Sequence, residues 1–177
     1  MPSDKGRLYV ALYARGGKPT MPGKEDTYHW AFILGPKEEK EGRHGIRYHV
    51  TNQTDGKWVF EERSISLKAT NMLLVRIMIG KVVDPEGLRS VMHSIQVKNN
   101  DPAWNCVIWI EDALAKLAGG KTIGTSQLNW QTVRDSAMKY VEEKKTQHRF
   151  DGKAPEDQFN TSNAATFDLL TGKEVIV

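Results

Sequence analysis

One cysteine and five histidines in 177 residues limit where nucleophilic chemistry can sit. Cys106 follows Asp101-Pro102-Ala103-Trp104-Asn105, a loop by composition, and precedes Val107, Ile110, Ala113, Leu114 and Leu117, whose spacing is that of an amphipathic helix. Asn105 is placed to cap that helix, so Cys106 falls in its first turn. Orphan N–H groups and the positive end of the helix dipole favour thiolate over thiol at such a position. Two of the histidines, His29 and His49, lie on predicted strands at equal distances from residue 39, inside a charged turn. A hairpin about that turn sets both imidazoles on one face, close enough to act as a base and its orienting partner. A slip of one residue sends them to opposite faces. A thiol activated by an imidazole that a third polar group holds in place is the apparatus of acyl transfer.

The elements that must position these groups are legible in the patterning. Arg7 to Arg15 alternates as a strand, and Gly16 to Asp26 reads as a loop. Tyr28 to Leu34, Ile46 to Thr51 and Trp58 to Glu62 are further strands. Met72 to Val83 is a fifth, with a bulge expected at Gly80. Asp84 then caps a short helix that opens with Pro85. The Cys106 helix ends at Ala118-Gly119-Gly120, and Trp130 to Gln147 is a third helix. Asp151 to Ala165 is irregular, and the tail from Thr166 could add one last strand. Strands joined by hairpin-length turns and followed by helices indicate an α+β fold, an antiparallel sheet packed against helices, in one domain over 1–177.

Tyr28-His29-Trp30-Ala31-Phe32-Ile33-Leu34-Gly35, the later Tyr48-His49-Val50 and the helix-opening Asn105-Cys106 resemble the lecithin:retinol acyltransferase-like branch of the circularly permuted NlpC-type, papain-like proteins. The likeness spans Tyr28 to Leu117. It implies a papain-like fold with Cys106 as nucleophile, His29 as base and His49 as the residue orienting His29. Asn52 and Glu61 could do the orienting instead. The chain departs from the branch after the cysteine, where Val107-Ile108-Trp109 replaces an acidic residue, histidine and phenylalanine, and it lacks the apolar anchoring tail of many relatives.

The expectation is therefore a cysteine-dependent hydrolase or acyltransferase that attacks an amide, ester or thioester carbonyl of a small or peptidic substrate. A thiolate–imidazolium pair would do the attacking and the Cys106 N–H would meet the oxyanion, with Asn105 or Trp104 as a side-chain donor. The substrate would lie beneath the loop Gly16 to Asp26. The rival is a papain-like binding module without turnover. No cofactor and no metal is called for: a site from His44, His49 and Cys106 fits no zinc spacing, and Gly120-Lys121-Thr122 lacks the upstream glycine of a phosphate loop, Ala115 standing there. A net charge of +3 with interspersed signs gives no reason to invoke nucleic acid. The basic stretch Lys139 to Arg149 reads as a solvent-facing helix end. No signal peptide, no membrane span and no possible internal disulfide point to the cytoplasm. Oligomeric state is not legible.

Overall fold

Alternating apolar residues build the sheet, and its two faces differ. In the computed structural model, which describes residues 5–40, 43–70 and 72–177, eight strands form one mixed, mostly antiparallel sheet. They are β1 (Gly6–Ala14), β2 (Tyr28–Gly35), β3 (His44–Asn52), β4 (Trp58–Ser66), β5 (Leu73–Val82), β6 (Ile123–Ser126), β7 (Ala165–Asp168) and β8 (Lys173–Ile176). The order is β4-β3-β2-β1-β5-β7-β8, with β6 also pairing β5, and β7 runs parallel to β5. A short 3₁₀ turn at Glu25–Thr27 precedes β2. The helices are α1 (Pro85–Ser94), α2 (Cys106–Ala118) and α3 (Trp130–Thr146).

One sheet face, with Leu8, Val10, Leu12, Trp30, Phe32, Tyr48, Ile77 and Ile79, packs under the helices. All five apolar residues read from the α2 stripe are buried there, joined by Trp109, which meets Phe32 and Phe60 edge-on and at a tilt. The other face carries Tyr9, Ala11, Tyr13, Ala31, Ile33, Leu73 and Met78, with no helix residue in its cluster among the described residues. The sequence reading thus holds for the α+β class, for the helix caps and for the irregular stretch before β7, while the parallel pairing of β7 with β5 makes the sheet mixed where an antiparallel one was expected. Asp84 accepts from the Gly87 N–H at 2.9 Å. The register of β1 on β5 shifts between Gly80 and Met78, a bulge at the expected place, and Ile79 is the extra residue.

Three expectations change. The tail forms two strands, because a turn with Gly172 at φ 71° folds β8 back on β7. The short polar Ile123–Ser126 also becomes a strand, since it completes the exposed edge of β5. The basic stretch 139–149 is not uniformly solvent-facing: Lys144 is buried against Glu174, and Arg149 donates to the carbonyls of Asn160 and Asn163. The N-terminal residues 1–4 and the turn positions 41–42 of the sequence reading lie outside the described residues.

One ion pair positions the hairpin that carries both histidines. Arg76 on β5 is 1% exposed, and its guanidinium holds both Glu39 oxygens, the Thr166 hydroxyl and the face of Tyr9. Glu39 belongs to the connection between β2 and β3, so this contact ties the hairpin turn down onto the sheet.

Candidate active site

The hairpin register differs from the symmetric expectation in an informative way. Phe32 pairs Tyr48, Ile33 pairs Arg47 and Leu34 pairs Ile46, so the hairpin centres on residue 40 rather than 39. Moving the centre by one residue moves each partner by two, which keeps both histidines on the same face. The ladder also stops at Phe32. Tyr28 to Ala31 continue β2 without a partner on β3, while β3 stays paired to β4 as far as Asn52. Across this opening His29 Nε2 and His49 Nδ1 lie 2.7 Å apart, the rings at 72° to one another.

Glu61 completes the line. It pairs directly with His49 across β3 and β4, and its Oε1 lies 3.0 Å from His49 Nε2. His49 therefore lies between His29 and Glu61 in one hydrogen-bonded line. Asn52, the other residue considered, makes no side-chain hydrogen bond to either ring among the described residues.

The tautomers follow from this order. Hydrogen bonds from His49 and Arg47 hold the Glu61 carboxyl below its ordinary value, so it is ionised and can only accept. His49 Nε2 must then donate, which leaves His49 Nδ1 as an acceptor. His29 Nε2 donates to it, so the proton of the neutral His29 ring sits on Nε2 and the lone pair on Nδ1. No side-chain hydrogen bond occupies that Nδ1 among the described residues.

Burial, with the neighbouring His49, Arg47 and Arg15, pulls His29 from 6.5 down to about 3. Burial likewise lowers His49. Both rings are neutral at pH 7.

Cys106 approaches from the helical layer. Asn105 caps α2, its Oδ1 accepting from the Val107 N–H at 3.0 Å and the Ile108 N–H at 3.2 Å. The thiol is 1% exposed, and burial raises it above its ordinary 9.0. The backbone N–H of Trp30, Arg15, and the N–H groups of Cys106 and Val107 oppose that rise without reversing it. The helix-start advantage foreseen from sequence is real but smaller than desolvation. In place of the expected thiolate–imidazolium pair at neutral pH there are a neutral thiol and a neutral ring that do not touch.

His29, His49 and Glu61 are thus joined in one chain. Cys106 reaches the same strand at the amide of Trp30, the residue following His29. Cys106 belongs to the buried cluster on the face of Tyr28, Trp30 and Phe32, whereas His29 alternates onto the face of Ala31 and Ile33. Among the described residues no hydrogen bond links Sγ to either ring.

Other expectations can be placed as well. Asp26 gathers the loop 16–26, accepting from the Thr20 N–H and hydroxyl and from the Met21 N–H. Arg134 on α3 binds that loop through Glu25 and Gly23. The cavity on which His29 opens contains no residue of the loop, so the loop does not cover it. Trp104 is buried against Trp58, and its Nε1 has no acceptor. His44 is exposed at the far end of β3. Among the described residues no three His, Cys, Asp or Glu side chains are grouped to hold a metal ion, and no helix is long and apolar enough to cross a membrane.

No curated protein and no solved structure matches this chain. A family model does, over residues 5–176, and it is described as a family of unknown function, DUF6914. Since that match spans nearly the whole sequence, the chain belongs to the DUF6914 family.

Proposed function

We propose that this protein is a cysteine-dependent hydrolase or acyltransferase, with Cys106 as nucleophile, His29 as base and His49–Glu61 orienting the base. The hydrogen-bonded order Glu61, His49, His29 carries the reading, because it ends in an unprotonated Nδ1 on β2, the strand against which the Cys106 helix packs. The motif likeness to the lecithin:retinol acyltransferase-like, papain-like proteins supports the same assignment and the permuted papain-like fold. The substrate is a small or peptidic amide, ester or thioester, acted on in the cytoplasm, where a free thiol stays reduced.

In the proposed reaction Sγ, which lies on the other face of β2, first reaches His29 through the open seam between β2 and β3. His29 Nδ1 then takes the thiol proton as Sγ bonds to the carbonyl carbon. The Cys106 N–H at the start of α2 stabilises the oxyanion, with the unpaired Trp104 Nε1 or the Asn105 amide as the side-chain donor. The imidazolium returns the proton to the leaving group as the carbon–oxygen, carbon–nitrogen or carbon–sulfur bond breaks. Water or another nucleophile then cleaves the thioester and restores the thiol. Because both groups begin neutral, proton transfer accompanies attack and does not precede it.

The near-complete burial of Cys106 favours a second reading, a binding module that keeps the scaffold without turnover. Intact-mass analysis after mixing with p-nitrophenyl acetate separates the two. The enzyme accumulates one acetyl group, mapped to Cys106 and absent in Cys106→Ala. A chain that stays unmodified while the free thiol of a small-molecule control is acetylated supports the binding module.

A further inference from the structure

His29 opens on a cavity of about 630 Å³ on the sheet face opposite the helices. Its floor is apolar, made by Tyr13, Ile65 and Leu73, and its rim carries Arg47, Arg63 and Lys68. No carboxylate lines it among the described residues. Arg47 and Arg63 stand directly opposite each other on β3 and β4, an arrangement of like charges that costs stability unless an anion intervenes. Arg47 is partly satisfied by Glu61 at 3.2 Å and lies over Tyr13, yet its Nε is buried without an acceptor. Arg63 and Lys68 have no ion-pair partner among the described residues. Ser64, Ser66 and Thr70 add hydroxyl donors around the same opening.

We infer that this cavity receives an acyl chain ending in a carboxylate, the chain lying on Tyr13 and Leu73 and the carboxylate held by Arg63 and Lys68. The inference rests on the reading of Cys106 and His29 as an acyl-transfer pair: His29 on the cavity wall meets the carbonyl end of the chain, and Cys106, which does not line the cavity, must reach that carbonyl through the open seam between β2 and β3. Planar guanidinium and ammonium donors beside hydroxyls match a carboxylate, and an apolar floor matches the methylenes between carboxylate and carbonyl. Phosphate alone would use the rim and leave the floor empty.

Two arms test the substrate class separately from catalysis. In the first, monomethyl glutarate is titrated into the full chain and followed by amide NMR. Shifts at Tyr13, Thr70 and Leu73 that weaken about tenfold in affinity in R63A and in K68A are expected. Absence of shifts at those residues overturns the inference, as does binding of inorganic phosphate at least as tight. The second arm compares mono-p-nitrophenyl glutarate with p-nitrophenyl valerate, which has the same chain length without the charge. Glutarate is expected to be favoured in kcat/KM, and R63A and K68A to lower that ratio; an equal or inverted ratio counts against the inference. If neither ester acylates Cys106 while glutarate still binds the cavity, the catalytic reading fails and the carboxylate site stands.

Discussion

His29→Ala lowers the rate of Cys106 acylation by about 10²–10⁴-fold, the loss typical of a removed general base, and leaves KM nearly unchanged. Stopped-flow release of p-nitrophenol measures it directly. The pH dependence separates this account from an ion-pair mechanism. With His29 held at about 3 and the thiol raised above 9.0, kcat/KM is flat from pH 5 to 8. A preformed thiolate–imidazolium pair would instead give a bell whose acid limb falls at about pH 4, where an ion-paired thiol titrates, and whose alkaline limb falls below that of a raised thiol, so the separation is read at about pH 4 and pH 9. Stability follows the same proton with a defined sign. The unfolded chain binds a proton on His29 from 6.5 downward and the folded chain only near 3. Stability is therefore complete above pH 6.5 and is lost progressively as pH falls toward 3. His29→Ala flattens that acid slope while slowing the chemistry.

Glu39→Ala destabilises the fold by about 3–5 kcal/mol, read from urea unfolding, because it strands the Arg76 guanidinium in the interior. The Thr166 hydroxyl and the Tyr9 ring remain as partners but carry no charge. Replacing both members by apolar residues of similar volume, Glu39→Leu with Arg76→Met, restores most of the loss. A single-mutant effect below about 1 kcal/mol would mean that water reaches the guanidinium. The same variant loosens the connection between β2 and β3, so it also weakens the His29–His49 contact and slows acylation.

What the sequence disclosed and what it hid divide along physical lines. Local signals were sufficient for α2: the Asn105 cap, the apolar stripe and the terminal glycines describe its start, buried face and end without tertiary information. Turn symmetry was nearly sufficient for the histidines, since the hairpin is off by one residue at its centre and the side-chain period absorbs the difference. Glu61 was visible only as one polar candidate among others. Its place depends on the β3–β4 register, which the turn Asn52 to Gly56 sets and which apolar patterning does not.

Arg76 read as an interruption in an apolar run, because its partner Glu39 lies 37 positions away and the pairing exists only once the hairpin folds over β5. The protonation states were hidden for a similar reason. A helix start argues for thiolate, but the burial that overrules it comes from packing α2 on the sheet face beneath it. β6 was missed because Ile123–Ser126 carries too few apolar residues to announce itself and is recruited by the open edge of β5.

Long-range ¹H–¹⁵N spectra of the histidine side chains at pH 7 test most directly whether the carboxylate on β4 dictates where the base keeps its lone pair. Neutral rings at both His29 and His49, each protonated on Nε2, with His29 remaining so when the sample is brought to pH 5, are the predicted result. A His29 ring that carries its proton on Nδ1, or is charged at neutral pH, would contradict the account.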